Sequence, residues 1–257
     1  MRASLADSAT RWLRKSPEGR FWEVDVVRGV AVVMMVTFHA VFDLYFFGIV
    51  QLDPYSGGLG VLAYATAILF LGLVGVSLSL SHARASLHPP GVSLFRKYLA
   101  RGVRVFILGL VVTLATWIYL GRGFVIFGVL HCIGLSIILA YPFLCRRSFA
   151  LVAAIPIIVV GIALSYGRSD ISFLLWLGFA PNDFYTVDYF PLLPWFGVIL
   201  LGMALGGWLY PKGQRRFQLP ARTGNAAAIG LAFLGRYSLL IYFIHQLILI
   251  GVISLLA

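Results

Sequence analysis

Three ionisable residues, Arg28, His39 and Asp43, fall in or at the edge of one apolar stretch, FWEVDVVRGVAVVMMVTFHAVFDLYFFG. In a helix of 3.6 residues per turn, the step from Arg28 to His39 returns to within roughly 20° of the same face. Asp43 follows His39 at i+4 and stays on that face. An imidazole is the side chain best suited to take and return a proton near neutral pH. A carboxylate on the same stripe can orient it, and a guanidinium can hold an anion through charge-assisted hydrogen bonds. Ionisable groups in an apolar helix of membrane length are costly, and they mark function more often than anchorage. The structural readings of the same residues are a packed histidine, an interfacial carboxylate and a basic anchor.

Composition fixes what must carry this stripe. The chain has 257 residues, 61% hydrophobic and 11% charged, with a mean hydropathy of +0.95. Soluble domains are less apolar and about twice as charged. The fold class predicted is all-α, a polytopic transmembrane helix bundle. A span needs roughly 20 mostly apolar residues, and seven stretches qualify: about 24–49, 57–81, 99–119, 124–144, 149–166, 192–210 and 238–256. ISFLLWLGFA (171–180) is too short to span and reads as interfacial or re-entrant. AAAIGLAFLG, ahead of the last span, is the candidate for an eighth. A basic segment, 1–22, precedes a single membrane domain, 23–257.

The net charge of +11 is explained by orientation rather than by nucleic acid. Lysine and arginine concentrate on the cytoplasmic side of membrane proteins. Arg2, Arg11, Arg14, Lys15, Arg20 and Arg28 lie before or just inside the first span. Arg84, Arg96, Lys97, Arg101 and Arg104 surround the second connection, and Arg146 and Arg147 follow the fourth span. Lys212, Arg215, Arg216, Arg222 and Arg236 precede the last, leaving Arg122 and Arg168 for the other side. The N-terminus is therefore expected inside and the C-terminus outside. The opening charged run leads into an apolar stretch too long for a signal-peptide core, so no cleaved signal is expected. Cys132 and Cys145 have neither metal nor redox spacing and are expected as free thiols.

At 1.5 Å per residue, His39 is about 22 Å and Asp43 about 28 Å along a first helix entered near residue 24. His39 then lies in the outer half of a core about 30 Å thick, with Asp43 near its outer surface. Arg28 sits near the inner surface. His131, on a fourth span entered from outside, reaches a depth of about 11 Å, comparable to that of His39. His245 is expected nearer the cytoplasm. The outer loop RSDISFLLWLGFAPNDFYTVDYFPLLPW carries Asp170, Asp183 and Asp188 among aromatics that include Trp195. Carboxylates beside exposed aromatic faces suit a polar, ring-shaped ligand such as a sugar. An interfacial aromatic belt is the structural alternative. Ser77 and Ser79 in GVSLS, and the G-x-x-x-G of Gly202 and Gly206, read as close helix packing.

The first stretch resembles the opening of the bacterial and archaeal relatives of heparan-α-glucosaminide N-acetyltransferase. LFLGLVGVSLSLS, FGVLHCIGLS, DYFPLLPWFGVILLGMALG and LGRYSLLIYFIHQ resemble later blocks of that family in the same order, so the resemblance covers about 20–256. The Arg-x10-His spacing is also similar to that of the wider acyltransferase-3 proteins. The resemblance implies a multi-pass enzyme of a bacterial or archaeal plasma membrane. It implies cytoplasmic acetyl-CoA as acyl donor, an extracytoplasmic amino sugar or glycan as acceptor, and no metal. One departure matters: in the mammalian lysosomal enzyme the position resembling His39 is Asn, and the active histidine lies further along a luminal loop. Here LYFFGIVQLDPYSGG has no histidine, so the catalytic role comes to His39 only through the Arg-x10-His pattern.

Acyl transfer needs a base for the acceptor's proton and stabilisation of a developing oxyanion. His39 is the candidate base, Asp43 its orienting partner, and His131 a second acid/base or oxyanion donor. Arg28, Arg101 and Arg104 are the candidates for the donor's phosphates, and Asp183, Asp188 and Trp195 for the acceptor. A covalent acyl-histidine and direct transfer both remain open, as does the oligomeric state, with a homodimer one option. A proton-coupled transporter of a small polar solute is the competing function, with the same residues as a relay. An odd span count and the lack of an inverted repeat weigh against it. A structural or lipid-binding subunit is the third.

Overall fold

The computed structural model describes residues 20–86, 93–167, 171–219 and 225–256. Arg2, Arg11, Arg14, Lys15, Arg168, Asp170 and Arg222 lie outside the described residues. Those described form eight α-helices, six of them long and apolar enough to cross a membrane and two shorter. The chain is a multi-pass integral membrane protein.

Helix α1 (Trp22–Phe46) carries Glu23 and Asp25 in its first turn, where carboxylates meet the positive end of the helix dipole. Before α2 (Gly57–Ala85), Asp53 Oδ1 accepts the Tyr55 N–H at 3.0 Å, a local turn that ends the preceding loop. Helix α3 (Leu94–Leu120) stops at Gly121, whose φ of +67° suits a residue without a Cβ. Its residues Ile107, Leu110, Val111, Leu114 and Ile118 are exposed. They recur at helical spacing and make one apolar face, as lipid requires. Helices α4 (Val129–Leu139), α5 (Arg147–Tyr166) and α6 (Leu192–Leu209) follow. Asn225 caps α7 (Ala226–Arg236), its Oδ1 accepting from the Ala227 and Ala228 N–H groups, and α8 (Ser238–Leu256) closes the chain.

Two expectations from the sequence change. The fourth stretch is not one full-length helix: α4 has 11 residues, about 16 Å of helix, yet Tyr141 just after it meets Phe95 at the start of α3, and Cys145 meets His82 at the end of α2. Gly121 and Gly123 take positive φ before it, and the segment up to Phe127 is extended enough to pair with the loop before α6. There Phe127 bridges Tyr189, and the Val187 N–H donates to Gly123 O at 2.9 Å. Tyr141–Phe143, with Pro142, forms a 3-10 turn after it. The eighth candidate is a helix, α7, but its 11 residues are also too few to cross. The 171–180 stretch holds a 3-10 helix, Ser172–Leu177.

The helices divide into two compact units. One contains the chain up to Phe70 and from Gln218 on, hence α1, α7, α8 and the first half of α2. Here glycines set the approach of α7 to α1. A Cβ on Gly29 would overlap Leu231 O, and one on Gly235 would overlap Asp25 O. The two pairs run in opposite order, so α7 lies antiparallel to α1. The other unit, Leu71–Phe217, has a core around Leu71, Leu78, Tyr98, Ile137, Ile199 and Leu200. A Cβ on Gly202 would overlap Gly72 O, and one on Gly206 would come within 2.9 Å of Val76 Cα. The G-x-x-x-G thus brings α6 against α2, as small residues do where lipid offers no hydrophobic drive between helices.

Candidate active site

Each polar residue on the α1 stripe has its own partner in the first unit. Asp25, which spacing alone does not single out, is buried at the start of α1. Arg28 Nη1 lies 2.9 Å from Asp25 Oδ1, one turn away. Arg20 Nε and Arg236 Nε lie 3.4 and 3.6 Å from Asp25 Oδ2. Gly235 is what makes this last contact available: it lets α7 close on the Asp25 backbone, and the next residue then reaches the carboxylate. Three guanidiniums around one carboxylate leave the cluster cationic. The sequence signal was the carboxylate three residues before Arg28, on its own stripe.

About 16 and 22 Å beyond Arg28 along α1, by helical rise, stand His39 and Asp43. The expected His39–Asp43 hydrogen bond is replaced by two others. His39 Nδ1 lies 2.8 Å from Met35 O. A carbonyl oxygen only accepts, so Nδ1 carries the hydrogen and Nε2 the lone pair. Asp43, buried, accepts instead from Gln246 Nε2 at 2.7 Å, through Oδ1. His245, the neighbour of Gln246 on α8, stands level with His39 rather than nearer the cytoplasm as expected, its ring against that of His39 with centroids 4.9 Å apart and planes at 78°. Phe38, Phe42 and Tyr55 pack on one another at centroid distances of 5.9–6.3 Å, and Phe38 stands edge-on to His39 at 5.6 Å.

The remaining candidates belong to the second unit. His131 is buried at the start of α4, and its Nδ1 accepts the Gly128 N–H at 3.2 Å. As a neutral imidazole it therefore carries its hydrogen on Nε2, the opposite tautomer to His39. The ring sits between the edge-on Phe106 and the stacked Phe127, and Gly109 leaves the room for it on α3. This arrangement can donate a hydrogen bond, as an oxyanion partner would, rather than take a proton. Asp188 Oδ2 accepts the Val129 N–H at 3.1 Å, capping α4 from a distance of 59 residues. Burial pushes its carboxyl up to about 6, and the Val129 hydrogen bond offsets only part of that. Asp183 is exposed, and Trp195 packs on Phe190 at 5.0 Å. Arg101 is half-buried on α3; Arg104 is exposed and donates from Nε to Ala100 O at 3.1 Å. Cys132 and Cys145 are free, the first buried and the second exposed.

Gln246 and His245 are what the stripe on α1 could not announce. Their signal was the block YFIHQ on the last helix, polar side chains in an otherwise apolar span. No curated protein and no solved structure matches the chain. The family model for heparan-alpha-glucosaminide N-acetyltransferase, catalytic, matches residues 20–247, a range that includes the Asp25 cluster, His39, Asp43, His131, Asp188, His245 and Gln246. With nearly the whole membrane domain matched, the chain belongs to this family of acetyltransferases.

Proposed function

We propose that this acyltransferase moves an acetyl group from acetyl-CoA to an extracytoplasmic sugar or glycan, with His39 as the general base. The observation that carries the reading is the His39 Nδ1–Met35 O hydrogen bond, which presents Nε2 as a lone pair in the middle of a span. A base in that state takes the proton from an acceptor hydroxyl or amine as it attacks the thioester carbonyl. The lysine and arginine bias puts the Arg28 end of α1 on the cytoplasmic side, the side of the acyl-CoA pool. The cluster of Arg20, Arg28 and Arg236 around Asp25 suits the donor's phosphates, because pre-held guanidiniums lose little freedom on binding. From Arg28 to His39 is about 16 Å along the helix, a span that an extended pantetheine arm can cover.

Purified protein in nanodiscs, given labelled acetyl-CoA and a panel of hexosamines and oligosaccharides, tests this directly. Release of free CoA should depend on one acceptor class. His39→Gln should lower transfer by roughly 10²–10⁴-fold, the usual contribution of a positioned base, with unchanged melting. Arg28→Lys keeps the ion pair and loses the planar fork, so the KM for acetyl-CoA should rise while kcat holds. Undiminished transfer by the His39 variant would remove the proposed mechanism.

A further inference from the structure

The α1 stripe explains one histidine of the pair, while His245 is conspicuous for what it shares with it. His245 Nδ1 lies 3.0 Å from Ile241 O and 2.8 Å from Tyr242 O. Like His39, it spends its Nδ1 hydrogen on carbonyls of its own helix and turns Nε2 out as an acceptor. Two neutral imidazoles in this tautomer cannot hydrogen-bond to each other, because neither Nε2 has a hydrogen to give. Their rings nevertheless stand edge to face at 4.9 Å. His245 Nε2 is buried without a hydrogen-bond partner in the protein. One residue on, Gln246 ties α8 to Asp43 at 2.7 Å and so fixes the rotation that turns His245 toward His39. Asp43 Oδ2 and Gln246 Oε1 are likewise buried without partners. Both are acceptors, so what this corner lacks is a hydrogen. A single proton added to the pair supplies one. A second would put two cations about one ring's width apart, away from bulk water, where repulsion is poorly screened.

We propose that His245 is the second member of a two-histidine unit that holds one proton during acetyl transfer, a reading that rests on the function proposed above. As the acceptor's oxygen or nitrogen bonds to the acetyl carbon, its proton passes to His39 Nε2. The imidazolium is stabilised by His245 Nε2, which accepts from it or takes the proton over. Collapse of the tetrahedral adduct breaks the carbon–sulfur bond and leaves the electron pair on the CoA sulfur. The unit then returns the proton to that thiolate, and both imidazoles end neutral.

The test compares the full-length protein with His39→Gln, His245→Gln and the double variant in nanodiscs, using labelled acetyl-CoA and the acceptor that the wild type uses. His245→Gln should lower kcat by roughly 10²-fold and leave the KM for acetyl-CoA unchanged. The double variant should be no slower than His39→Gln, because residues acting as one unit are not additive. His245→Ala should recover kcat on addition of imidazole but not of pyrazole, which has the same shape and is a far weaker base; a packing role would respond to both alike. A wild-type kcat in His245→Gln, additive losses, or equal rescue by pyrazole would overturn the proposal. Wild-type protein that transfers no acetyl group at all would instead overturn the function on which it rests. Active wild type, inactive His39→Gln and unimpaired His245→Gln would overturn the pairing alone.

Discussion

Asp188→Asn should make the protein more stable at neutral pH than at acid pH, relative to wild type. The Asp188 carboxyl lies where α4 starts, with Oδ2 against the Gly128 Cα and 3.1 Å from the Val129 N–H. Burial raises its pKa to about 6 from an ordinary 3.8. The folded protein thus holds this proton more tightly than the unfolded chain does. Its contribution to stability is most favourable below about pH 4 and is lost as the pH rises through about 6. At about 1.4 kcal/mol per pKa unit, the full swing is about 3 kcal/mol. Asp188 is only partly buried by surface area, and screening by solvent brings a realistic value to about 1–2 kcal/mol. Asparagine keeps an oxygen for the Val129 N–H and has no charge to desolvate. Other groups titrate in the same range, so the informative quantity is the difference between variant and wild type, in which they cancel. Melting of both proteins in nanodiscs should show that difference moving in favour of Asn by about 2–8 °C between pH 4.5 and 7.5. A difference that is flat with pH, or that moves the other way, would mean that the carboxylate is not desolvated as described.

Gly235→Ala puts a methyl group into Asp25 O and should cost about 1–3 kcal/mol in the same melting assay. Gly230→Ala, on the same helix with nothing within 4 Å of its Cβ, should be neutral or stabilise by up to about 1 kcal/mol. A membrane-impermeant maleimide should label Cys145, which is exposed, and spare Cys132, which is buried. With the N-terminus inside, labelling should occur in inside-out vesicles and fail in right-side-out ones, and Cys145→Ser should abolish it.

Much of the helix order was legible because lipid imposes it. Apolar stretches of membrane length have no other stable form in a bilayer, since every backbone N–H and C=O must be paired within the segment. That logic weakens where protein replaces lipid as the surroundings. The stretch 124–144 is largely apolar, yet Phe127 pairs with Tyr189 and Val187 donates to Gly123, so its first residues find partners without helix. Hydropathy cannot see this, because the partner lies about 60 residues away. Hydropathy offered α7 as a span, yet its role depends on Gly29 and Gly235 rather than on length.

The site was legible in its residue types and not in its pairings, and the reason is specific to helices. Spacing puts Asp43 above His39 on one face, but it also puts every histidine within reach of the carbonyl one turn back. That carbonyl is held rigidly by the helix, whereas a carboxylate at i+4 must give up rotamer freedom to meet the ring. His39 and His245 both settle on the backbone in this way, at Met35 and at Ile241 and Tyr242. His131 escapes it because the residues before α4 are not helical, so its Nδ1 meets a backbone N–H instead. The local backbone thus decides which nitrogen of each imidazole keeps its lone pair: Nε2 in His39 and His245, Nδ1 in His131. Asp43, released from orienting His39, is left to grip Gln246 across 203 residues of chain. That grip sets the angle of α8 and brings a second imidazole of matching tautomer beside the first, a juxtaposition that no face of a single helix can encode.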